Sequence, residues 1–293
     1  LTERSRMSPK LPDQIIDTHL NIVDPDFHYP WTGTLMPESD SPFLGQDLNS
    51  LASEQGLIGV VICQLLTDWR ATRKLMALPE TLSIPAKLIP RVEKDAPGVL
   101  ELIQSISSNS HVAGVRHLPA SLEEEFKLEG AALDAVDQLA NRGLVLELLL
   151  LENHMDGLIQ FLETTVSRKL KLAINHLLWP DIQGDLTKWK EMISLLAEHS
   201  NIWLKASFLV PTAYPERRKL EPQDYFECLS HAWQAFGKRE RMVFASDFPN
   251  AATQASYGQV KRIWSLWANH MGLNPSELRG LFVGNAERLY GKF

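Results

Sequence analysis

Arg241-Met-Val-Phe-Ala-Ser-Asp247 decides the fold: an apolar run with no polar face that ends abruptly in a carboxylate. A strand of that kind is buried on both sides, as in a parallel sheet covered by helices. The same form recurs along the chain. Residues 14–22, 57–64, 86–90, 111–118, 143–151, 170–176 and 201–207 all read as strands. Between them run stretches of helical period, among them residues 100–107, 130–141, 155–165, 186–198, 222–236 and 257–271. Eight strand–helix units fit an α/β fold with one closed (β/α)8 barrel, a TIM barrel, whose usual length is about 250 residues. A doubly wound open sheet is the alternative. It fits less well, because no G-x-G-x-x-G turn follows the first strand.

Near the end, Asn274 is placed to cap a helix, with Pro275 at its first position and Glu277 as the capping-box acid. No internal repeat, low-complexity tract or linker divides the chain. The expected organisation is a flexible N-terminal segment, residues 1–12, ahead of a single barrel domain, residues 13–293. Of the 293 residues, 44% are hydrophobic and 22% charged, enough for a sizeable core. Lys plus Arg number 29 and Asp plus Glu 36, so the net charge is −7. That lacks the basic footprint of a nucleic-acid binder. The two cysteines, Cys63 and Cys228, make neither a disulfide framework nor a zinc–thiolate cluster, and a reducing, cytoplasmic compartment is expected. No apolar run approaches the ~18 residues of a membrane span. The densest, residues 144–151, is interrupted by Glu147.

Chemistry in such a barrel sits where the strands end. The first strand ends Asp17-Thr-His-Leu-Asn21, and alternation puts Asp17, His19 and Asn21 on one face. The sixth ends in His176 and the eighth in Asp247. Two histidines and an aspartate at one mouth ligate a divalent ion, or orient and deprotonate a water. Taken alone, His19 reads equally well as a hydrogen-bonded core histidine. Arg116 on the fourth strand suits a bidentate grip on a carboxylate, or an ordinary ion pair. Lys205 shares a face with Ser207; it pairs with Asp247, meets a substrate anion or reaches solvent. Glu147 reads as a buried, paired acid. His154, just beyond the fifth strand, joins the site or caps the following helix.

Ile16-Asp-Thr-His-Leu-Asn-Ile-Val-Asp-Pro25 with Tyr29-Pro-Trp31 resembles the opening of the lactonase-type amidohydrolases, metal-dependent hydrolases of the TIM-barrel fold. Further matches, in the family's order, are Gly114-Val-Arg-His117, Asn175-His176, Ile202-Trp-Leu-Lys-Ala-Ser207, Phe244-Ala-Ser-Asp-Phe-Pro249 and Gly284-Asn-Ala-Glu-Arg-Leu-Tyr290. The resemblance implies a hydrolase that opens a small sugar-acid or dicarboxylate lactone, such as 2-pyrone-4,6-dicarboxylate. It implies Asp247 as general base, with His19, Asn21 and His176 facing the developing oxyanion. Arg116, Lys205 and His154 would contact substrate, and Trp31 would cover it.

The chain departs from the family pattern in its first strand, where Asn21 stands in place of the second histidine of His-x-His. Asn175 and Ala245 likewise replace the family's Asp and Gly. An amide oxygen is a poorer zinc ligand than an imidazole. Two metal states follow: one zinc or manganese ion held weakly by His19, His176 and Asp247, or a metal-independent site. The runner-up functions are a decarboxylase or lactone isomerase on the same barrel, and a barrel that binds a small acid without turnover. The expected partner is a small lactone or carboxylate, with no nucleic acid and no membrane. Trp179, Trp189, Trp233, Trp264 and Trp267 either form the interface of a homo-oligomer or pack helices on the barrel.

Overall fold

The computed structural model describes residues 11–29, 41–93, 98–117, 125–164, 167–207, 220–253 and 255–293. Each expected strand is present: β1 Ile15–Leu20, β2 Leu57–Cys63, β3 Ala86–Ile89, β4 Gly114–His117, β5 Val145–Leu148, β6 Lys171–Ile174, β7 Ile202–Ala206 and β8 Met242–Phe244. Most are shorter than their apolar runs, because the last residues leave the ladder at the barrel mouth.

Every pairing is parallel, in the orders β1-β2-β3 and β4-β5-β6-β7-β8. Parallel bridges join the two sets at both edges. Leu88 pairs with Val112 and Arg91 with Arg116 at one seam, and Leu20 pairs with Phe248 at the other. At that second seam the Asp247 N–H donates to the His19 carbonyl and the Asn21 N–H to the Phe248 carbonyl, both at 2.9 Å. The ring is closed.

The helices lie outside it: α1 Gly45–Gln55, α2 Trp69–Ala77, α3 Val99–Ile106, α4 Ala131–Asn141, α5 Met155–Leu162, α6 Thr187–Ala197, α7 Phe226–Ala235, α8 Tyr257–Met271, α9 Pro275–Arg279 and α10 Asn285–Tyr290. The cap of α9 is the expected one. Asn274 Oδ1 accepts from the N–H groups of Ser276 and Glu277, and Glu277 accepts from the N–H of Asn274.

Strand alternation splits the core in two. Outward residues such as Ile62, Leu88, Leu146, Leu172, Leu204 and Phe244 pack under the helices. Inward Val61, Val145, Ala173, Trp203 and Val243 pack with Leu289 and Tyr290 of α10, and Phe293 lies against them. Thus α10 stoppers the barrel floor. Gly114 has a steric reason: a Cβ there would lie 2.2 Å from the Val145 carbonyl oxygen. Trp189, Trp233, Trp264 and Trp267 are buried, so they pack helices on the barrel, and Trp179 is half-buried. Rings of this size remove ~150–250 Å² each from water, a large share of helix docking. Both cysteines are free and buried. Among the described residues no helix is long and apolar enough to cross a membrane.

Candidate active site

The exit of β1 corrects a simple alternation reading. Its register slips between Asp17 and Leu20. Asp17 Oδ1 accepts from the backbone N–H groups of His19 and Ser246, each at 3.0 Å, and Oδ2 accepts from the Tyr257 hydroxyl at 2.9 Å. Asp17 is therefore a clasp between β1, the β8 exit and α8 rather than a member of the site. His19 and Asn21 do reach it. His19 Nε2 lies 3.5 Å from Asp247 Oδ1, and Asn21 Nδ2 donates to that same oxygen at 3.0 Å. His19 Nδ1 and Asn21 Oδ1 are buried without a hydrogen-bond partner among the described residues.

The β6 exit is a left-handed turn made without glycine. His176, Leu177, Leu178 and Trp179 have φ of 56°, 55°, 58° and 48°. Such a conformation costs roughly 1–2 kcal/mol per residue, so the surroundings must over-determine it. They do. The Trp189 indole N–H donates to the Leu177 carbonyl at 2.7 Å, and the His176 N–H donates to Ser207 Oγ at 3.2 Å. That hydroxyl also lies 2.8 Å from His176 Nδ1, which fixes the ring. The His19 and His176 ring centroids are 4.9 Å apart. Asp247 sits at φ 61°, and the Asn250 amide donates to its Oδ1 at 3.4 Å.

Burial governs the electrostatics. It pushes the Asp247 carboxyl up to about 7, against the opposing effects of the Asn21 hydrogen bond and the Arg116 charge. It also holds His19 and His176 well below the ordinary histidine range, assisted by the positive charges of Lys205 and Arg116. The site is thus two neutral imidazoles beside a carboxyl poised near neutrality.

Lys205 does not pair with Asp247 or reach solvent. Its Nζ donates to both Glu147 oxygens at 2.8 Å, with both side chains fully buried. The Tyr290 hydroxyl of α10 donates to Glu147 Oε1 at 2.6 Å, and Cys63 Sγ lies 3.7 Å from Oε2. This ion pair is internal to the barrel. His154 closes the short turn ahead of α5, its Nδ1 accepting from the Leu151 N–H at 2.9 Å, and its side chain makes no cap to α5 itself. Arg116 is buried and donates from Nη1 to the Gln64 carbonyl at 3.4 Å. Trp31 lies outside the described residues.

Among the described residues two trios bring ligand atoms within 4.8 Å of one another: His19–His176–Asp247 and His19–Cys63–Glu147. The second fits a metal poorly, because burial pushes the Cys63 thiol up to about 12 and Lys205 occupies the Glu147 carboxylate. The first offers two nitrogens and a carboxylate, a set that suits a divalent ion with coordination left for water or substrate. Sequence reasoning missed the parts played by Asn175, Asn250 and Gln64. Asn175, inward like Ala173 two residues earlier, is buried with both amide atoms unpartnered among the described residues. Its place beside His176 at the end of an apolar run was the available signal.

The family model described as Amidohydrolase matches residues 16–292. An L-fucono-1,5-lactonase of Burkholderia multivorans is 26% identical over 276 residues, covering 89% of this chain and 90% of that protein. A crystal structure of a Burkholderia multivorans amidohydrolase with bound zinc superposes with a TM-score of 0.81 at 25% identity, over 94% of this chain and 99% of the other. A Pseudomonas putida protein described as a 2-pyrone-4,6-dicarboxylic acid hydrolase gives a TM-score of 0.73 at 18% identity, over 96% and 98% of the two chains. That last likeness is one of fold alone.

Proposed function

The chain belongs to the amidohydrolase family, and from that premise we propose that it hydrolyses a small lactone, with Asp247 as the general base. The observation that carries this reading is the buried Asp247 carboxyl, brought to about 7 and set 3.5 Å from His19 Nε2. A base near the working pH takes a proton and gives it back with little penalty. The similarity to the fuconolactonase supports the substrate class.

Asp247 takes a proton from water, whose oxygen adds to the ring carbonyl. The neutral imidazoles of His19 and His176 donate hydrogen bonds to the developing oxyanion, together with the buried amides of Asn21 and Asn175. The ring C–O bond then breaks, and the protonated Asp247 returns its proton to the departing alkoxide. The product is one hydroxy acid, and the leaving group stays tethered. Two free, buried cysteines accord with a cytoplasmic enzyme.

His19, His176 and Asp247 would hold a divalent ion, and the zinc-bound neighbour supports that assignment. When bound, the ion supplies Lewis-acid polarisation of the carbonyl. With Asn21 in place of a further imidazole the ion is held weakly. Metal analysis after dialysis against chelator should find well under one equivalent of zinc or manganese; a full equivalent surviving dialysis contradicts this.

The test of function is acid release from a panel of five- and six-membered lactones, wild type beside Asp247→Asn. The variant should lose roughly 10³-fold or more in kcat with an unchanged circular dichroism spectrum. Turnover unchanged in Asp247→Asn refutes the assignment of the base. NMR that finds carbon dioxide loss or a rearranged ring, in place of the open acid, refutes the reaction.

A further inference from the structure

Asp247 takes its hydrogen bonds on one oxygen. Asn21 Nδ2 donates to Oδ1 at 3.0 Å and Asn250 Nδ2 to the same atom at 3.4 Å, with His19 Nε2 3.5 Å from it. Oδ2 accepts from no described residue, and it retains accessible surface. The two amides come from different strand exits, Asn21 after β1 and Asn250 after β8. Asn250 is itself buried.

The backbone brings Asn250 to this place. Asp247, at φ 61°, turns the chain sharply as β8 ends, in a conformation that is costly without glycine. Its N–H donates to the His19 carbonyl, and its own carbonyl accepts from the Ala251 N–H, both at 2.9 Å. Within that turn Ser246 Oγ accepts from the Phe248 N–H at 3.0 Å. The closed turn carries the Asn250 amide back beside the carboxyl group three residues before it.

Such an uneven set of donors selects between the two oxygens. A protonated carboxyl has one hydroxyl oxygen and one that only accepts. With the proton on Oδ2, Oδ1 remains an acceptor and keeps both amide hydrogen bonds. A proton on Oδ1 would instead face N–H groups that have nothing to accept it with.

We propose that Asn250 is a positioning residue: with Asn21 it holds Oδ1, so that Oδ2 alone takes the proton from water and later returns it. The inference rests on the reading of Asp247 as the base, and adds to it the reacting atom and the residue that aims it. A water O–H bond breaks toward Oδ2 as the water oxygen bonds to the ring carbonyl carbon. When the ring C–O bond breaks, the proton on Oδ2 passes to the alkoxide. The hydrogen bonds to Oδ1 are the same before, between and after these transfers, so the base has nothing to rearrange.

The experiment is steady-state kinetics on whichever lactone of the panel wild type opens fastest. Asn250→Leu, close to asparagine in shape but without a donor, and Asn250→Ala should each lose roughly tenfold in kcat, with KM changed less than about twofold. Asn250→Leu is then repeated in the Asp247→Asn background. A residue that acts only through Asp247 has no base left to aim there, so the tenfold factor should shrink to below about twofold. The same factor lost in both backgrounds overturns the proposal and leaves the base standing. Full turnover in both single variants overturns it too, as does a loss carried by KM at unchanged kcat, which makes Asn250 a substrate contact. Unchanged turnover in Asp247→Asn, or none by wild type on any lactone, removes the base itself, and the inference falls with it.

Discussion

Asp247 is a base only when it has lost its proton, and its carboxyl titrates near 7. In chelated protein, kcat/KM should therefore rise with pH along a limb of unit slope with its midpoint near 7, and a pH–rate series checks this. The same shift bears on stability with a definite sign. The folded-state value lies above the ordinary 3.8, so the folded chain binds more protons between those two points. Its contribution is complete below the ordinary value and is lost as pH rises through 7. Asp247→Asn avoids the buried charge and should be more stable than wild type at pH 8, on the order of 1–3 kcal/mol by thermal melts. The Lys205–Glu147 pair behaves differently. Lys205→Met strands a carboxylate in a dry barrel and should cost roughly 3–5 kcal/mol in urea unfolding, much of it recovered in the double variant with Glu147→Gln. His19, His176 and Asp247 were legible in the sequence because each ends an apolar strand with a group such a strand does not need. The partner of Lys205 was not. Alternation tells which side chains point inward, but the stagger of the strands decides which layer they share.

The strand exits are where periodicity stops being a guide. β1 slips in register, and Asp17 leaves the stripe that alternation assigns it because three donors converge on its carboxylate. One donor comes from α8, 240 residues away in sequence, which no local pattern announces. Tyr257→Phe removes that donor alone and should destabilise by about 1–3 kcal/mol, seen as a lower Tm with the helical signal preserved. The turn His176–Trp179 is hidden for a related reason. It contains no Gly, Asn or Asp, so nothing in its composition signals a left-handed backbone. Tertiary contacts through Trp189 and Ser207 impose it. The helices outside the ring were easier to read, since a buried stripe repeats at helical spacing whatever the ends do.

At the scale of the molecule, the order of strands and helices alone led to a closed barrel, because doubly buried parallel strands leave few alternatives. What the order could not convey is that α10 folds back to stopper the floor and deliver the Tyr290 hydroxyl to Glu147. The β1–β8 seam has a further consequence. It joins Asn21 to Asp247 across 226 residues of chain, and the two halves of the site lie on either side of it. Contacts of such separation form late, after shorter-range strand pairs have paid little loop entropy. In refolding experiments the far-UV circular dichroism should recover before turnover does. The same ordering holds during synthesis: until β8 emerges from the ribosome, the growing chain displays histidine without its base, and no ring can be opened by a half-made protein.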